Sequence, residues 1–381
     1  MTTVARRTTA VPPVLAGYSY IRPLGSGGFA DVFLYEQDMP RRAVAVKVLV
    51  DDAINPEVLR TFNAEADVLA RLSAHPSIVT IFQASISGDG RPYFVMEYCP
   101  DSMSARYKTA PLPVADVLST GVRMASALET AHRSGVLHRD IKPSNVLVTT
   151  LGAPVLADFG IAGALSRIEE SPEVFAMSVP WSSPEVLQGE ISGSIAAEVW
   201  SLGATLYTLL AGRSPFDSPS RERIPRDQLQ ARIVKAKYIP TGREDVTMRV
   251  ESALMRCLDK APAKRYGSML ELAEDLRMAQ YEMGIAPTPL EVVDQAWASA
   301  ALAEPAPGEE PRGPVITTVR QDSRRAARAQ NLASAQRVNA QLNADAPART
   351  PGKNATLRGA AMGAGAAVAI AVAILFATGV L

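Results

Sequence analysis

An α+β domain of two lobes is what the sequence predicts, and three observations predict it. Short runs rich in β-branched and aromatic residues, separated by turn signals, fill the chain as far as Tyr98. Beyond Pro113 the apolar residues fall at helical spacing instead. Strands first and helices later suit segregated layers rather than alternating βαβ units.

Residues 1–16 read as a flexible tail. The folded domain is expected over residues 17–283. Its strands are predicted at Ser19–Leu24, Ala30–Glu36, Ala43–Leu49, Ile78–Ser85 and Tyr93–Tyr98. One helix interrupts them, Pro56–Leu72, with Phe62, Ala66 and Leu69 on one face. The second lobe is expected to carry helices at Val114–Ser134, Ile195–Ala211, Thr247–Asp259 and Met269–Glu282. Residues 284–358 turn rich in Pro, Ala and Arg and read as a linker with little to pack. Residues 359–381 form a stretch without a charged side chain.

Acidic and basic residues balance, 39 against 39, so no global field draws the chain to nucleic acid. Cys99 and Cys257 lie far apart and have no CxxC partner, which argues against a zinc site or a disulfide framework. The first residues hold no continuous apolar run, so no signal peptide is expected. Gly359–Leu381, at ~1.5 Å per residue, is long enough to cross a bilayer core of ~30 Å. Lys353 and Arg358 precede it and would stay in the cytoplasm, which places the domain there too. The expectation is a single-pass protein of the cell membrane. Arg320–Arg358 carries eight Arg/Lys against Asp322 and Asp345. That excess suits either contact with an anionic inner leaflet or a solvated linker. Gly359 and Gly363 form a GxxxG, a motif through which two membrane helices could pair.

The chemistry concentrates in His138-Arg139-Asp140-Ile141-Lys142-Pro143-Ser144-Asn145, followed by Asp158-Phe159-Gly160. Phosphoryl transfer from Mg-ATP needs groups of these types: one acid to orient a hydroxyl, a cation for phosphate charge, and two oxygen ligands for magnesium. Asp140 is the candidate for the hydroxyl, Lys142 for the transferred charge, and Asn145 and Asp158 for Mg²⁺, or Mn²⁺ in its place. Gly25-Ser26-Gly27-Gly28 sits between two predicted strands, where glycine N–H groups could cradle phosphates. A dinucleotide fingerprint would open a helix here, whereas Ala30–Tyr35 continues as a strand. Ala45 and Lys47 point the same way along their strand, leaving room for an adenine ring beside a phosphate-binding lysine. A lysine in an apolar strand could merely snorkel at an edge. Glu65, on the following helix, offers it a partner.

These motifs resemble the eukaryotic-like (Hanks-type) serine/threonine protein kinases of bacteria, over about residues 18–283. The resemblance implies the two-lobed protein kinase fold, with ATP and protein substrates as partners and autophosphorylation as an expected activity. It implies Leu24, Val32, Ala45 and Leu147 around the adenine, and Met96 as gatekeeper. Backbone groups of Glu97 and Cys99 would read the base. It makes Lys47–Glu65 the ion pair required for activity and Pro184-Glu185 the end of the activation segment, with Arg265 paired to Glu185. Lys142 points to serine/threonine specificity. Homodimers through the kinase domain or the terminal helix fit this reading.

Several positions depart from the family's pattern. Ser183, Trp181 and Met177 stand where alanine, tyrosine and glycine are usual; Ser178 takes the threonine position near the substrate. Glu198 replaces the aspartate that braces the catalytic loop. Arg139 would pair with a phosphorylated activation loop, and Ser166 and Ser171 are the expected sites. The alternative is a catalytically weak pseudokinase or membrane signalling scaffold. The presence of Lys47, Glu65, Asp140, Asn145 and Asp158 argues against it.

Overall fold

The computed structural model describes residues 10–27, 30–49, 62, 66–159, 178–218 and 224–293. All lie in one of the chain's two compact units, Met1–Ala303. Gly28, Glu65, Ser166, Ser171, Met177, the linker beyond residue 293 and Gly359–Leu381 lie outside the described residues.

Five antiparallel strands make the first sheet: β1 (Tyr18–Ser26), β2 (Ala30–Gln37), β3 (Arg42–Leu49), β4 (Ile81–Ile86) and β5 (Pro92–Glu97). Their spatial order is β1-β2-β3-β5-β4. A helix over residues 66–72 (α1) precedes β4. Period-2 alternation sorts the two faces of this sheet. Phe33, Tyr35, Val44, Val46, Val48 and Val95 form a buried cluster on one face with Leu15. Ala45 and Lys47 take the other.

Helices dominate the second lobe: α2 (Met103–Thr109), α3 (Val114–Arg133), α4 (Pro184–Leu187), α5 (Ile195–Ala211), α6 (Arg226–Lys235), α7 (Met248–Cys257) and α8 (Met269–Glu282). A small sheet of β6 (Asp101–Ser102), β7 (Val146–Val148) and β8 (Pro154–Leu156) lies beside them. Ser194, Thr247 and Ser268 start α5, α7 and α8 by accepting backbone N–H groups three residues on. The α5 helix stops at Gly212, which takes the left-handed conformation (φ 69°) that favours glycine. Gly203 lets α5 approach α7 closely, since a Cβ there would sit 2.4 Å from the Cys257 Cβ.

The ends of the domain correct two expectations. Residues 10–16 do not form a loose tail. The Ala10 N–H donates to Asp31, the Pro13 carbonyl accepts from the Tyr35 hydroxyl, and Leu15 is buried. Residues 284–293, assigned to the linker, pack back on the helical lobe: Thr288 is buried and bonded to Gln280. Neither segment has the periodicity of an element, because long-range hydrogen bonds hold it. The predicted Ile78–Ser85 strand also shifts to β4. Its first residues turn away to β8, where Ile78 bridges Leu156 and the Val79 N–H donates to the Leu156 carbonyl. Among the described residues no helix is long and apolar enough to cross a membrane.

Candidate active site

The loop after α3 runs from His138 to Asn145 and is held from beneath. Arg139 adopts a left-handed backbone (φ 66°), uncommon for a residue with a Cβ. Its N–H donates to Glu198 Oε1 at 2.7 Å. The other Glu198 oxygen meets His132 Nε2 at 2.6 Å. Both of those side chains are buried, so one carboxylate ties α3, α5 and the loop together. The longer Glu198 in place of aspartate is therefore accommodated with both oxygens in use. His138 is fully buried, and its Nε2–H donates to the Ala157 carbonyl while Nδ1 accepts the Asp140 N–H. Burial pushes its pKa below the usual imidazole value.

Above this base the charged groups converge. Asp140 Oδ1 accepts from the Ser178 hydroxyl at 2.8 Å. Its Oδ2 accepts from Lys142 Nζ at 2.6 Å and from Asn145 Nδ2 at 3.1 Å. Lys142 also donates to Ser178 Oγ at 2.9 Å. A hydroxyl thus already lies between the acid and the cation. The Asn145 amide nitrogen is engaged with Asp140, so Oδ1 is the end that would meet a cation. Asn145 is fixed by its backbone, which donates to Lys142 O and accepts from Ala157 N–H.

Asp158 completes the set. It too has a left-handed backbone (φ 63°), and it accepts from Lys47 Nζ at 2.7 Å. The Lys47 charge holds its carboxyl below the ordinary range. Glu65, the expected partner of Lys47, lies outside the described residues. Lys47 pairs in register with Val32 on β2 and Phe94 on β5, and Ala45 with Met96. Leu24, Gly25, Ser26 and Gly27 form the exposed end of the first hairpin, where Gly25 faces Val32 and the Gly27 N–H donates to the Ala30 carbonyl. The Glu97 N–H is engaged with the Thr80 carbonyl, so any adenine contact from Glu97 falls to its carbonyl. Met96, Cys99 and Leu147 pack on Val79, Val155 and Ala157, an apolar wall beside the charged groups. Burial pushes the Cys99 thiol up to about 12, so it stays protonated in this wall.

The donor set fits magnesium held with a nucleotide. Two hard oxygens, from the half-exposed Asp158 and from Asn145, leave room for the phosphate oxygens and waters that Mg²⁺ prefers. Among the described residues no cluster of three or more His, Cys, Asp or Glu could cage a metal by itself.

The protein kinase domain model matches residues 18–278. The chain belongs to the protein kinase family. PknK of Mycobacterium tuberculosis is 38% identical over 283 residues, 73% of this chain and 25% of that protein. PrkC of Bacillus subtilis is 35% identical over 267 residues, 69% of this chain and 40% of that protein. Both are serine/threonine-protein kinases, and the chain spans well under half the length of either. The crystal structure of the PknI kinase domain of Mycobacterium tuberculosis is similar, with a TM-score of 0.50 and 28% identity. That match covers 71% of this chain and 99% of the PknI chain. The kinase domain here is of the serine/threonine type.

In this kinase domain the end of the activation segment is anchored where the motifs predict. Arg265 donates to both Glu185 oxygens, at 2.7 and 3.0 Å, with its side chain wholly buried. Burial alone would raise the Glu185 pKa, but Arg265 outweighs it and holds the carboxyl down. Trp181 satisfies its indole N–H on Thr208 Oγ1 at 3.1 Å, which explains why the larger ring is tolerated there. Sequence reasoning missed His132; its only signal is a second histidine six residues before His138. It also missed His75, which the Glu291 carbonyl engages from the far end of the domain.

Proposed function

We propose that the protein is a membrane-anchored serine/threonine kinase transferring the γ-phosphate of Mg-ATP to protein hydroxyls on the cytoplasmic side. The observation that carries this reading is the Ser178 hydroxyl bonded to both Asp140 and Lys142. A substrate serine or threonine taking the same contacts would give its proton to Asp140 while Lys142 neutralises the phosphoryl group. Lys47 would orient the phosphates, the glycine-rich run from Gly25 would offer them N–H groups, and Asn145 and Asp158 would hold the cation. Bound magnesium screens the phosphate charge. Leu24, Val32, Ala45 and Leu147 would enclose the base. The full chain incubated with labelled Mg-ATP and a generic protein should label that protein, and Asp140→Asn should not. No labelling by the parent despite ATP binding would favour a scaffold.

Gly359–Leu381, with Lys353 and Arg358 before it, supports the anchor. The parent should remain in alkaline-washed membranes and Ile370→Arg should leave them; a parent recovered in the soluble fraction sinks the anchor. Autophosphorylation is expected at Ser166 or Ser171, to be read by phosphopeptide mapping of the active form. Pairing through Gly359 and Gly363 would favour phosphorylation in trans. Equal autophosphorylation rates for Gly363→Leu and parent at matched membrane density would count against it.

A further inference from the structure

We propose that residues 284–293 form a strap belonging to the catalytic domain, and that His75 is the positioning residue through which the strap holds Asp158 in place. The inference rests on the kinase reading only for what Asp158 does.

The strap is built, not draped. The Ile285 N–H donates to the Gln280 carbonyl at 2.8 Å. Gln280 then clamps Thr288 twice, donating to its hydroxyl and accepting its N–H, each at 2.8 Å. Both residues are buried. Pro287 and Pro289 flank the clamp and restrict the backbone. Leu290 packs against the main core. The Val293 N–H donates to Thr130 Oγ1 on α3 at 3.2 Å. The kinase-domain match ends at residue 278, before the strap begins.

From the strap a line of hydrogen bonds runs to the site. His75 is 1% exposed and follows α1 in the loop before β4. Its Nδ1 accepts the Ser77 N–H at 3.0 Å, so the proton sits on Nε2 and is donated to the Glu291 carbonyl. The Ser77 carbonyl accepts the Leu156 N–H at 2.8 Å, and the Leu156 carbonyl accepts the Val79 N–H at 2.9 Å. Ser77 and Leu156 are fully buried, so no water replaces a lost partner. Leu156 stands two residues before Asp158. Between them the Ala157 N–H donates to the Asn145 carbonyl, which brings the second cation ligand into the same line. Asp158 holds a backbone conformation (φ 63°) that persists only where its surroundings impose it. The strap supplies part of that constraint from the far side of the loop.

Two full-chain variants test this. His75→Asn keeps an acceptor for the Ser77 N–H and shortens the reach to Glu291. Replacement of residues 286–293 by glycine and serine removes the strap and leaves His75. Amide exchange at Leu156 should quicken by about fivefold in each, the loss of one buried hydrogen bond. KM for Mg-ATP should rise by a similar factor with KM for a peptide substrate unchanged, and combining the variants should add little. Unchanged exchange at Leu156 in both variants overturns the proposal. So does a lowered melting temperature with faster exchange but an unaltered KM for Mg-ATP, since the strap would then be structural only. If the parent transfers no phosphate, the functional reading fails, and the exchange experiment still decides whether the strap holds this segment.

Discussion

The catalytic loop and the tip of the first hairpin are built in opposite ways. From His138 to Asn145 the loop is fixed from below by a buried carboxylate, a buried imidazole and a backbone lock on Ala157. From Leu24 to Gly27 the hairpin tip is largely exposed, and a Cβ on Gly25 would meet nothing within 4 Å. The loop carries the groups that must already stand in place when chemistry occurs. In the proposed function the tip would only have to close on phosphates, so its order would be left for the ligand to impose. Substitutions in the first region should therefore move turnover, and stability too where they reach its buried supports; in the second they should move nucleotide affinity alone.

The largest effect tests the loop's function apart from its stability. Asp140→Asn keeps an acceptor for Ser178 and should lower kcat by about 10³-fold, the middle of the range for a lost general base. Its denaturation midpoint should stay near that of the parent, because the side chain is 42% exposed. A large loss of stability would mean that Asp140 is a structural post like Glu198.

Next comes the anchor beneath the activation segment. Arg265→Ala leaves Glu185 buried and charged without its partner, and should cost about 3–5 kcal/mol in urea denaturation. Glu198→Gln should cost about 2 kcal/mol, since one amide cannot accept from both Arg139 N–H and His132. Glu198→Asp should cost less, about 1 kcal/mol, if the shorter acid keeps Arg139 and loses His132. A Glu198→Asp variant as stable as the parent would show that His132 contributes nothing.

Acid should weaken the buried base before it affects the tip. His138 and His75 are held neutral by burial, below the ordinary value of 6.5. The unfolded chain takes up protons near that value and the folded chain resists. Stability is thus complete above about pH 6.5 and declines as pH falls from there towards the depressed values. Asp158 and Glu185, whose carboxyls are held down, extend the loss at lower pH. Denaturation midpoints measured across this range should fall on acidification; a rise would contradict the buried neutral imidazoles.

The same contrast explains what was legible in the sequence. The α5 and α8 helices fall at their predicted bounds because Ser194 and Ser268 cap long periodic runs. The α6 helix escaped because only Leu229 and Ile233 of its residues are buried. The β7 and β8 strands, of three residues each, are too short to show a period. The catalytic side chains are close in sequence and could be read as a motif. Their supports are not: Glu198 meets His132 across 66 residues, and Glu291 meets His75 across 216. Such pairs come together only through packing: the resemblance pointed to Glu198 as a brace, but nothing local announces His132, His75 or Glu291.

The smallest expected effect is the sharpest test of the open tip. A Cβ at Gly27 would touch the Ala30 carbonyl oxygen at 3.4 Å, an ordinary contact. Gly27→Ala should therefore change stability by no more than about 0.5 kcal/mol. The added methyl would nonetheless stand where the backbone must approach the phosphates. KM for ATP should rise several-fold with kcat for a peptide nearly unchanged, the signature of lost binding shared by ground and transition states. A fall in kcat at unchanged KM would instead make the tip part of the positioned machinery. The division between a fixed loop and a ligand-closed hairpin would then have to be abandoned.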